Sequence, residues 1–262
     1  MRDLADTAAF QRGETIAGYC AAKRCISVEL RSFLELCCDP DSGLCAAAAA
    51  RGRSFLRVTK DSKFHTARDP AVALDFLASH PDADTWTSLP CTAWCTWCYV
   101  NEARLGPEHV ARLAWQRRQS MRMAKHAETC MSVSIAGGGS GHFEWPRRCR
   151  GWQKKRIKAM IARLRLLLTD FDGCSFGVMA SSSLLALKPW RVVTSSRRLA
   201  VALRERRCSR DHPHGHLSGK WATDSGHYPD ELCDFVLDKL DEPARPRPVR
   251  HGLSRLFGGT LA

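Results

Sequence analysis

Short apolar segments alternate with helix-favouring segments over about the first 150 residues of this 262-residue chain. The apolar run Phe33–Cys38 ends in the turn residues 39–43, and Leu44–Ala50 then strongly favours a helix. Further strand candidates are Ser54–Val58, Thr85–Leu89, Met131–Ile135 and the residues around Phe143, and further helix candidates are Asp69–Ala78 and Pro107 to about Met131. This alternation predicts an α/β, doubly wound, Rossmann-like sheet with helices on both faces.

Four residues with reactive or charged side chains fall where the predicted strands end. They are Asp39, Asp61, Cys91 and Glu144. Ligands of doubly wound sheets bind at the carboxyl ends of the strands, so we expect these side chains to meet at one site.

Two short motifs place a thiol and a carboxylate at that edge. Ser88-Leu89-Pro90-Cys91 ends one strand candidate, and His142-Phe143-Glu144-Trp145-Pro146 ends another, with Glu144 standing 53 positions after Cys91. A thiol can attack a pyrimidine ring at carbon 6 while a neighbouring carboxylate holds the ring nitrogen. The motifs therefore predict Cys91 and Glu144 as catalytic residues.

The charge of the chain favours a polyanionic partner, since 40 lysines and arginines against 27 acidic residues give a net charge of +13. A basic and amphipathic stretch from Arg147 to Thr169 directly follows Glu144, with apolar residues at helical spacing. A solvated helix face is the alternative interpretation of such a charge run. We predict nucleic acid contacts by Arg147, Arg148, Arg150, Lys154, Lys155 and Lys188.

The sequence divides into an N-terminal helical extension (1–30), an α/β domain (31–240) and a basic tail rich in proline and glycine (241–262), which we expect to be disordered. No uninterrupted apolar run approaches the roughly 20 residues of a membrane-spanning helix, and the polar start lacks a signal core. Thirteen cysteines are an odd number in a chain that is not a small secreted scaffold. We therefore expect an intracellular protein with reduced thiols and no membrane partner, for which the nucleus is a compatible location.

Further motifs match those of a known family in the same order. Leu34-Glu35-Leu36 with Ser42-Gly43 occupies the place of a cofactor-binding turn, and the motifs at 174–177, 188–195 and 228–233 follow it. Together with the thiol and carboxylate motifs, this order over roughly residues 33–240 resembles the cytosine-5 DNA methyltransferases. The chain is most similar to their short phage-type forms and to forms associated with mobile elements of protists.

The resemblance implies a methyltransferase sheet, S-adenosylmethionine as cofactor and cytosine in DNA as substrate. It makes Cys91 the nucleophile that adds to carbon 6, and Glu144 the residue that holds a base which is flipped out or unpaired. It also implies cofactor binding by Glu35, Asp39, Ser42, Gly43, Asp61, Asp69 and Pro90.

The chain departs from the family at the cofactor turn. Glycines there normally let the backbone approach the cofactor, whereas Cys38-Asp39-Pro40-Asp41 stands here and leaves only Gly43. The chain also has no sizeable insert that could recognise a target sequence. A second hypothesis is therefore a catalytically inactive methyltransferase-fold module of a mobile element that binds nucleic acid.

A third hypothesis follows from the spacing of Cys91, Cys95 and Cys98. This C-x3-C-x2-C motif resembles the one in radical S-adenosylmethionine enzymes, where three thiolates hold a four-iron cluster. The glycine-glycine-glutamate motif usual in those enzymes is absent downstream.

A loop with metal-ligand composition contains Cys208, His212, His214 and His216. Zinc prefers four such ligands in a tetrahedral array, but a solvated histidine loop gives the same pattern. From the sequence we predict no metal ligands and leave the question of zinc in this loop open.

Overall fold

The computed structural model describes residues 19–20, 30–66 and 68–242. They form one mixed sheet with apolar cores on both of its faces, which confirms the predicted α/β class. Within these residues we find no helix with both the length and the apolar content of a bilayer-spanning segment. The helical extension predicted for 1–30 lies outside the described residues except for Tyr19–Cys20, which form a strand, and residue 30. The predicted tail lies outside them from residue 243 onward.

The elements are numbered in chain order. The strands are β1 (Tyr19–Cys20), β2 (Phe33–Cys38), β3 (Phe55–Thr59), β4 (Asp84–Thr87), β5 (Gly141–Pro146), β6 (Leu167–Asp172) and β7 (Pro189–Thr194). The helices are α1 (Gly43–Ala50), α2 (Arg68–Ser79), α3 (Thr96–Arg104), α4 (Pro107–Ala136), α5 (Lys155–Arg163), α6 (Arg197–Arg204), α7 (Gly219–Asp224) and α8 (Asp230–Asp241). Short 3-10 turns lie at Thr92–Trp94, Arg150–Gln153 and Gly173–Phe176.

The strand order across the sheet is β1-β3-β2-β4-β5-β7-β6. Strands β3, β2, β4 and β5 run parallel to one another, so their carboxyl ends meet at one edge. The last strand, β7, is inserted between β5 and β6 and runs antiparallel to both, with Glu144 opposite Val192. Residues that follow β2, β3 and β4 therefore approach the same edge as Glu144.

Alternating side chains of the parallel strands enter two different cores. Leu34, Leu36 and Phe143 pack with helices α2, α4 and α5 on one face. Phe33 and Trp86 pack with α1, α6 and α8 on the other face. Because every parallel strand is covered on both sides, these strands are almost continuously buried, as buried parallel strands are in general.

The strand predicted at Met131–Ile135 is wrong, because these residues continue α4. Cys130, Met131 and Ser134 extend the buried face of that helix at helical spacing. The helix ends before Gly137, where a Cβ atom would stand 1.9 Å from the carbonyl oxygen of Pro81.

The amphipathic stretch predicted from Arg147 to Thr169 is also not a single helix. It comprises a 3-10 turn, the helix α5 and the beginning of β6. Arg165 has a φ of 52°, and this left-handed conformation does not continue a right-handed helix. The apolar residue Leu168 thus lies on a strand.

A buried carboxylate fastens the amino ends of all four parallel strands. Asp84 starts β4. Its carboxylate accepts a hydrogen bond from the backbone amide of Ser140, which precedes β5, and one of 3.1 Å from the guanidinium of Arg53, which precedes β3. Arg31, before β2, stands 3.3 Å away. Arg53 also reaches Asp241 of α8 at 2.6 Å. Burial raises the pKa of Asp84, while Arg53 and Arg31 act in the opposite direction.

Replacing Asp84 should therefore destabilise the whole sheet. Asp84→Ala removes the fully buried one of the two carboxylates that pair with the fully buried guanidinium of Arg53 and leaves only the partly exposed Asp241, and we expect a loss of about 3–5 kcal/mol in the free energy of unfolding. Asp234→Ala is the matched control, because this carboxylate also pairs with an arginine but is 58% exposed, so its loss should stay below about 1 kcal/mol. Urea unfolding of the two variants measures both values, and equal losses would contradict the role of Asp84.

Candidate active site

A cavity of about 310 Å³ lies at the carboxyl edge of the parallel strands. Both predicted catalytic residues, Cys91 and Glu144, line it, and the structure thus brings the two motifs together. A second cavity of about 440 Å³ lies at the opposite edge beside Arg31 and Arg197, but no cysteine lines it. Of these two cavities, the one at the carboxyl edge is therefore the one with thiols in its lining.

The thiol of Cys91 is placed by the loop that follows β4. Cys91 precedes the 3-10 turn, and the indole of Trp145 holds the loop by donating a hydrogen bond to the carbonyl of Leu89 at 2.6 Å. Burial raises the pKa of Cys91 to about 11, the charge of Glu144 adds to this, and Lys188 acts in the opposite direction. The resting thiol is therefore protonated at neutral pH.

The carboxyl group of Glu144 is buried on β5 and is only half satisfied. Its Oε2 accepts a hydrogen bond from the hydroxyl of Tyr228 at 2.7 Å, whereas Oε1 is buried and has no partner among the described residues. Burial raises its pKa to about 7, although Tyr228 and Lys188 act in the opposite direction. A carboxyl group with this pKa can donate or accept a hydrogen bond near neutral pH.

Tyr228 is a site residue whose role the sequence did not reveal. It stands 84 positions from Glu144, and a hydroxyl contact over that separation leaves no local pattern. Its oxygen lies 2.8 Å from the hydroxyl of Ser88 and accepts a hydrogen bond from the indole of Trp86 at 3.3 Å. The tyrosine thereby links the segment before α8 to the ends of β4 and β5.

Lys188, predicted to contact nucleic acid, lines the cavity. Its backbone has a φ of 28°, and its ammonium group stands 4.9 Å from the ring centre of Trp190. Burial lowers its pKa to about 8, against the charges of Glu144 and Cys91. The lysine thus supplies a positive charge beside the thiol and the carboxyl group.

Two of the residues predicted to bind the cofactor, Glu35 and Ser42, form hydrogen bonds with each other. The hydroxyl of Ser42 lies 2.7 and 2.6 Å from the two carboxylate oxygens of Glu35, so that carboxylate faces the turn. Burial raises the pKa of Glu35, while hydrogen bonds from Ser42 and Cys45 lower it. A Cβ atom at Gly43 would stand 2.9 Å from the sulfur of Cys233, so this glycine is needed for packing against α8.

The other predicted cofactor residues are spread around the turn. Asp39 lines the cavity but pairs with Lys60 and, at 3.3 Å, with His227. Pro90 lines the cavity beside Cys91. Asp61 is exposed and does not line it. Asp69 lies in the first turn of α2, and its side chain is outside the described part of the structure.

Some of the residues predicted to contact phosphates are exposed, and others already contact side chains of the protein. Arg148, Arg150 and Lys155 are exposed. Arg147 stands 3.9 Å from Asp172, and Lys154 is half-buried with its ammonium group 4.9 Å from the ring centre of Trp94.

Aromatic side chains alternate with this basic surface. The guanidinium of Arg150 stands 4.2 Å from the ring centre of Tyr99 on α3, and Trp97 on the same helix is 73% exposed. None of the nine described residues of α3 is buried. The helix that follows Cys91 is thus only partly covered by the rest of the protein.

The cysteines of the proposed iron–sulfur motif are only partly brought together. The sulfur atoms of Cys95 and Cys98 lie 3.2 Å apart, and the thiol of Cys98 donates to the carbonyl of Thr92 at 2.7 Å. Cys91 lines the cavity, which these two residues do not. The radical-enzyme hypothesis therefore stays a prediction, which aerobic brown colour and bound iron in the purified protein would support.

The histidine loop contributes to a compact group of metal-type ligands. Cys174, Cys208, His212 and His214 have ligand atoms that all lie within 4.8 Å of one another. His216, another candidate ligand of the loop, is not part of this group, whereas Cys174 is. Cys174 comes from the turn after β6, so its distance along the chain concealed it.

Comparisons with family models, with curated proteins and with solved structures find no match for this chain.

The high pKa of Glu144 predicts a pH-dependent stability. The unfolded chain releases this proton near pH 4.5 and the folded chain near pH 7, so the folded state binds more protons in between, and stability falls as pH rises through that window. Glu144→Gln removes this contribution. Between about pH 5 and about pH 8 the wild type should lose about 2.5 kcal/mol relative to the variant in urea unfolding.

Tyr228→Phe is the companion variant for this measurement. The tyrosine hydroxyl favours the charged carboxylate, so its removal should raise the pKa of Glu144 further and extend the loss of stability to higher pH. Parallel stability curves of the wild type and Glu144→Gln would show that Glu144 does not titrate in this range.

Proposed function

We propose that this chain is a cytosine-5 methyltransferase-like protein that holds an unpaired or flipped cytosine of DNA in the cavity at the carboxyl edge. Cys91 faces carbon 6 of the base, and Glu144 holds the ring nitrogen and the exocyclic amine. The observation that carries the proposal is the half-satisfied carboxyl group of Glu144 in the same cavity as the thiol. An unpartnered buried oxygen costs free energy, which a hydrogen bond to a ligand offsets.

The protonation states of Glu144 and Cys91 bear on how the thiol can add to the base. At neutral pH about half of the Glu144 carboxyl groups carry a proton that can be donated to the ring nitrogen, since the pKa is about 7. The thiol of Cys91 must lose its proton to act, and the nearby charge of Lys188 favours the thiolate. Protonation of Glu144 also removes the negative charge that opposes the thiolate.

S-adenosylmethionine would supply the methyl group when bound, but the turn predicted to bind it does not fit this role. The carboxylate of Glu35 is occupied by Ser42, and Gly43 is packed by Cys233. Asp39 is paired with Lys60 and His227. The proposed role of the cavity is the binding and activation of the base.

DNA as the partner is supported by the basic and aromatic surface around α3. Exposed Arg148, Arg150 and Lys155 are suited to phosphates, and exposed Trp97 is suited to stacking of an unpaired base. This surface directly follows Cys91 in the chain and adjoins the 3-10 turn after β5. A strand bound there can therefore deliver a base to the cavity.

The second candidate function is a catalytically inactive module that binds nucleic acid. Two observations favour it: the raised pKa of Cys91 and the self-satisfied turn at Ser42. The two functions share the DNA-binding surface and differ in whether Cys91 adds to the base.

Hydrogen exchange at carbon 5 of cytosine tests the addition without a cofactor. The thiolate of Cys91 forms a bond to carbon 6, a solvent proton adds to carbon 5, and loss of the original hydrogen from carbon 5 with expulsion of the thiolate restores the ring. Wild-type protein should therefore release tritium from single-stranded DNA with tritium at carbon 5 of cytosine. Cys91→Ser should abolish the release, and Glu144→Gln should slow it by about 10²–10⁴-fold.

Cys95→Ser is the matched control, because this thiol lies four positions away but does not line the cavity, and release should continue. DNA binding without tritium release by the wild type would reject catalysis and favour the inactive module. Calorimetry with S-adenosylmethionine then separates a base-activating protein from a complete methyltransferase.

The salt dependence of DNA binding tests the proposed surface. Each lost phosphate contact reduces the slope of log affinity against log salt by about 0.7–0.9, so Arg150→Glu with Lys155→Glu should flatten it by about 1.4–1.8. Arg197→Glu with Arg204→Glu makes the same charge change on α6, which packs on a different part of the sheet, and should leave the slope nearly unchanged. Equal slopes for the two double variants, measured by fluorescence anisotropy, would place the contacts elsewhere.

A further inference from the structure

Four side chains from two separate parts of the chain converge beyond the end of β6. Cys174 is buried in the 3-10 turn after β6, and Cys208, His212 and His214 come from the irregular segment after α6. Their ligand atoms all lie within 4.8 Å of one another. We propose that Cys174, Cys208, His212 and His214 bind one zinc ion, independently of the function proposed for the cavity.

The distances match a tetrahedral zinc site. Zinc–sulfur bonds of about 2.3 Å and zinc–nitrogen bonds of about 2.0–2.1 Å place a sulfur and a nitrogen ligand about 3.5 Å apart at the tetrahedral angle. The sulfur of Cys208 lies 3.7 Å from Nε2 of His212 and 3.4 Å from Nε2 of His214. Two thiolates and two imidazoles form one of the usual structural zinc sets.

The surroundings of the ligands orient them as metal sites require. Nδ1 of His212 donates to the carboxylate of Asp211 at 2.8 Å, which leaves Nε2 as the atom that faces the group. The backbone amide of Arg210 donates to the sulfur of Cys208 at 3.2 Å, and Asp172 accepts from the amide of Cys208 at 3.1 Å. These contacts fix the ligands before a metal binds.

The ion would fasten a segment that lacks regular structure of its own. Residues 205–218 contain neither helix nor strand apart from an isolated bridge between His214 and Leu185. The turn that carries Cys174 is itself held to the chain beside Lys188, because the amide of Gly173 donates to the carbonyls of Leu187 and Lys188. Zinc at this point therefore links the segment that leads to Tyr228 with the loop that carries Lys188.

Metal analysis of the full chain tests the proposal. Protein purified under reducing conditions should contain about one zinc ion per chain by mass spectrometry, and Cys208→Ser and His214→Ala should lose it. His214→Cys should retain it, because three cysteines and one histidine are also a structural zinc set. His216→Ala is the matched control in the same loop and should retain it as well.

Two further measurements keep the test independent of how well a variant folds. Cobalt-substituted wild type should show the absorption of a tetrahedral thiolate-bound ion, and a strong chelator should lower the melting temperature of the wild type but not of Cys208→Ser. Folded wild type without zinc or cobalt binding would overturn the proposal. A Cys174–Cys208 disulfide in its place, or zinc that is lost with His216→Ala and retained with Cys208→Ser, would overturn it too.

Discussion

The buried carboxylate of Asp84 is the interaction on which the sheet depends. It gathers groups that precede β2, β3 and β5 at the start of β4, and it does so where water is excluded. A one-residue shift of β3 against β4 would separate the fully buried charges of Arg53 and Asp84, which costs several kcal/mol, and a shift of β2 or β5 would break the contacts of Arg31 or Ser140 with the same carboxylate. The register of the sheet is fixed from its amino edge, so the carboxyl edge can hold groups that contribute little to folding.

The cavity at the carboxyl edge holds three titratable groups that influence one another in a poorly hydrated space. Burial raises the pKa of Cys91 and Glu144 and lowers that of Lys188, and in each case the neutral form is favoured. In a structural ion pair, each partner stabilises the charged form of the other. Here the pKa values of Glu144 and Lys188 are shifted toward neutral pH, so both groups can change their charge there. This is a pattern of perturbed pKa values that clusters at functional sites.

Local patterns predicted those parts of the fold that depend on neighbours in sequence. The run Phe33–Cys38 and the alanine-rich segment after Gly43 became β2 and α1 because their signals are short-range. The strand prediction for Met131–Ile135 was wrong because a short apolar run fits a helix end as well as a strand. Packing of these residues on the core decided in favour of the helix.

The residues of the candidate site also fall into those that local patterns predict and those that only the tertiary structure brings together. Cys91 and Glu144 were predictable because each ends a strand in a distinctive motif. The partnership of Tyr228 with Glu144 and the joining of Cys174 to the histidine loop depend on chain crossings that no spacing reveals. The place of Lys188 was also unpredictable, because its basic charge indicated an exposed surface, whereas the residue lines the cavity and has a positive φ that no local pattern predicts.

The helix α3 has a thermodynamic consequence for access to the thiol. Since none of its residues is fully buried, separating it from the body of the protein mainly breaks partly exposed contacts, such as the ion pair of Glu102 with Arg117, and exposes less apolar surface than separating a core helix would. A segment of this kind opens locally while the strands remain paired, so its amides exchange with solvent through brief excursions and not through global unfolding. The chain beside Cys91 can therefore make room for a ligand as large as a nucleotide while the sheet that holds Glu144 stays rigid.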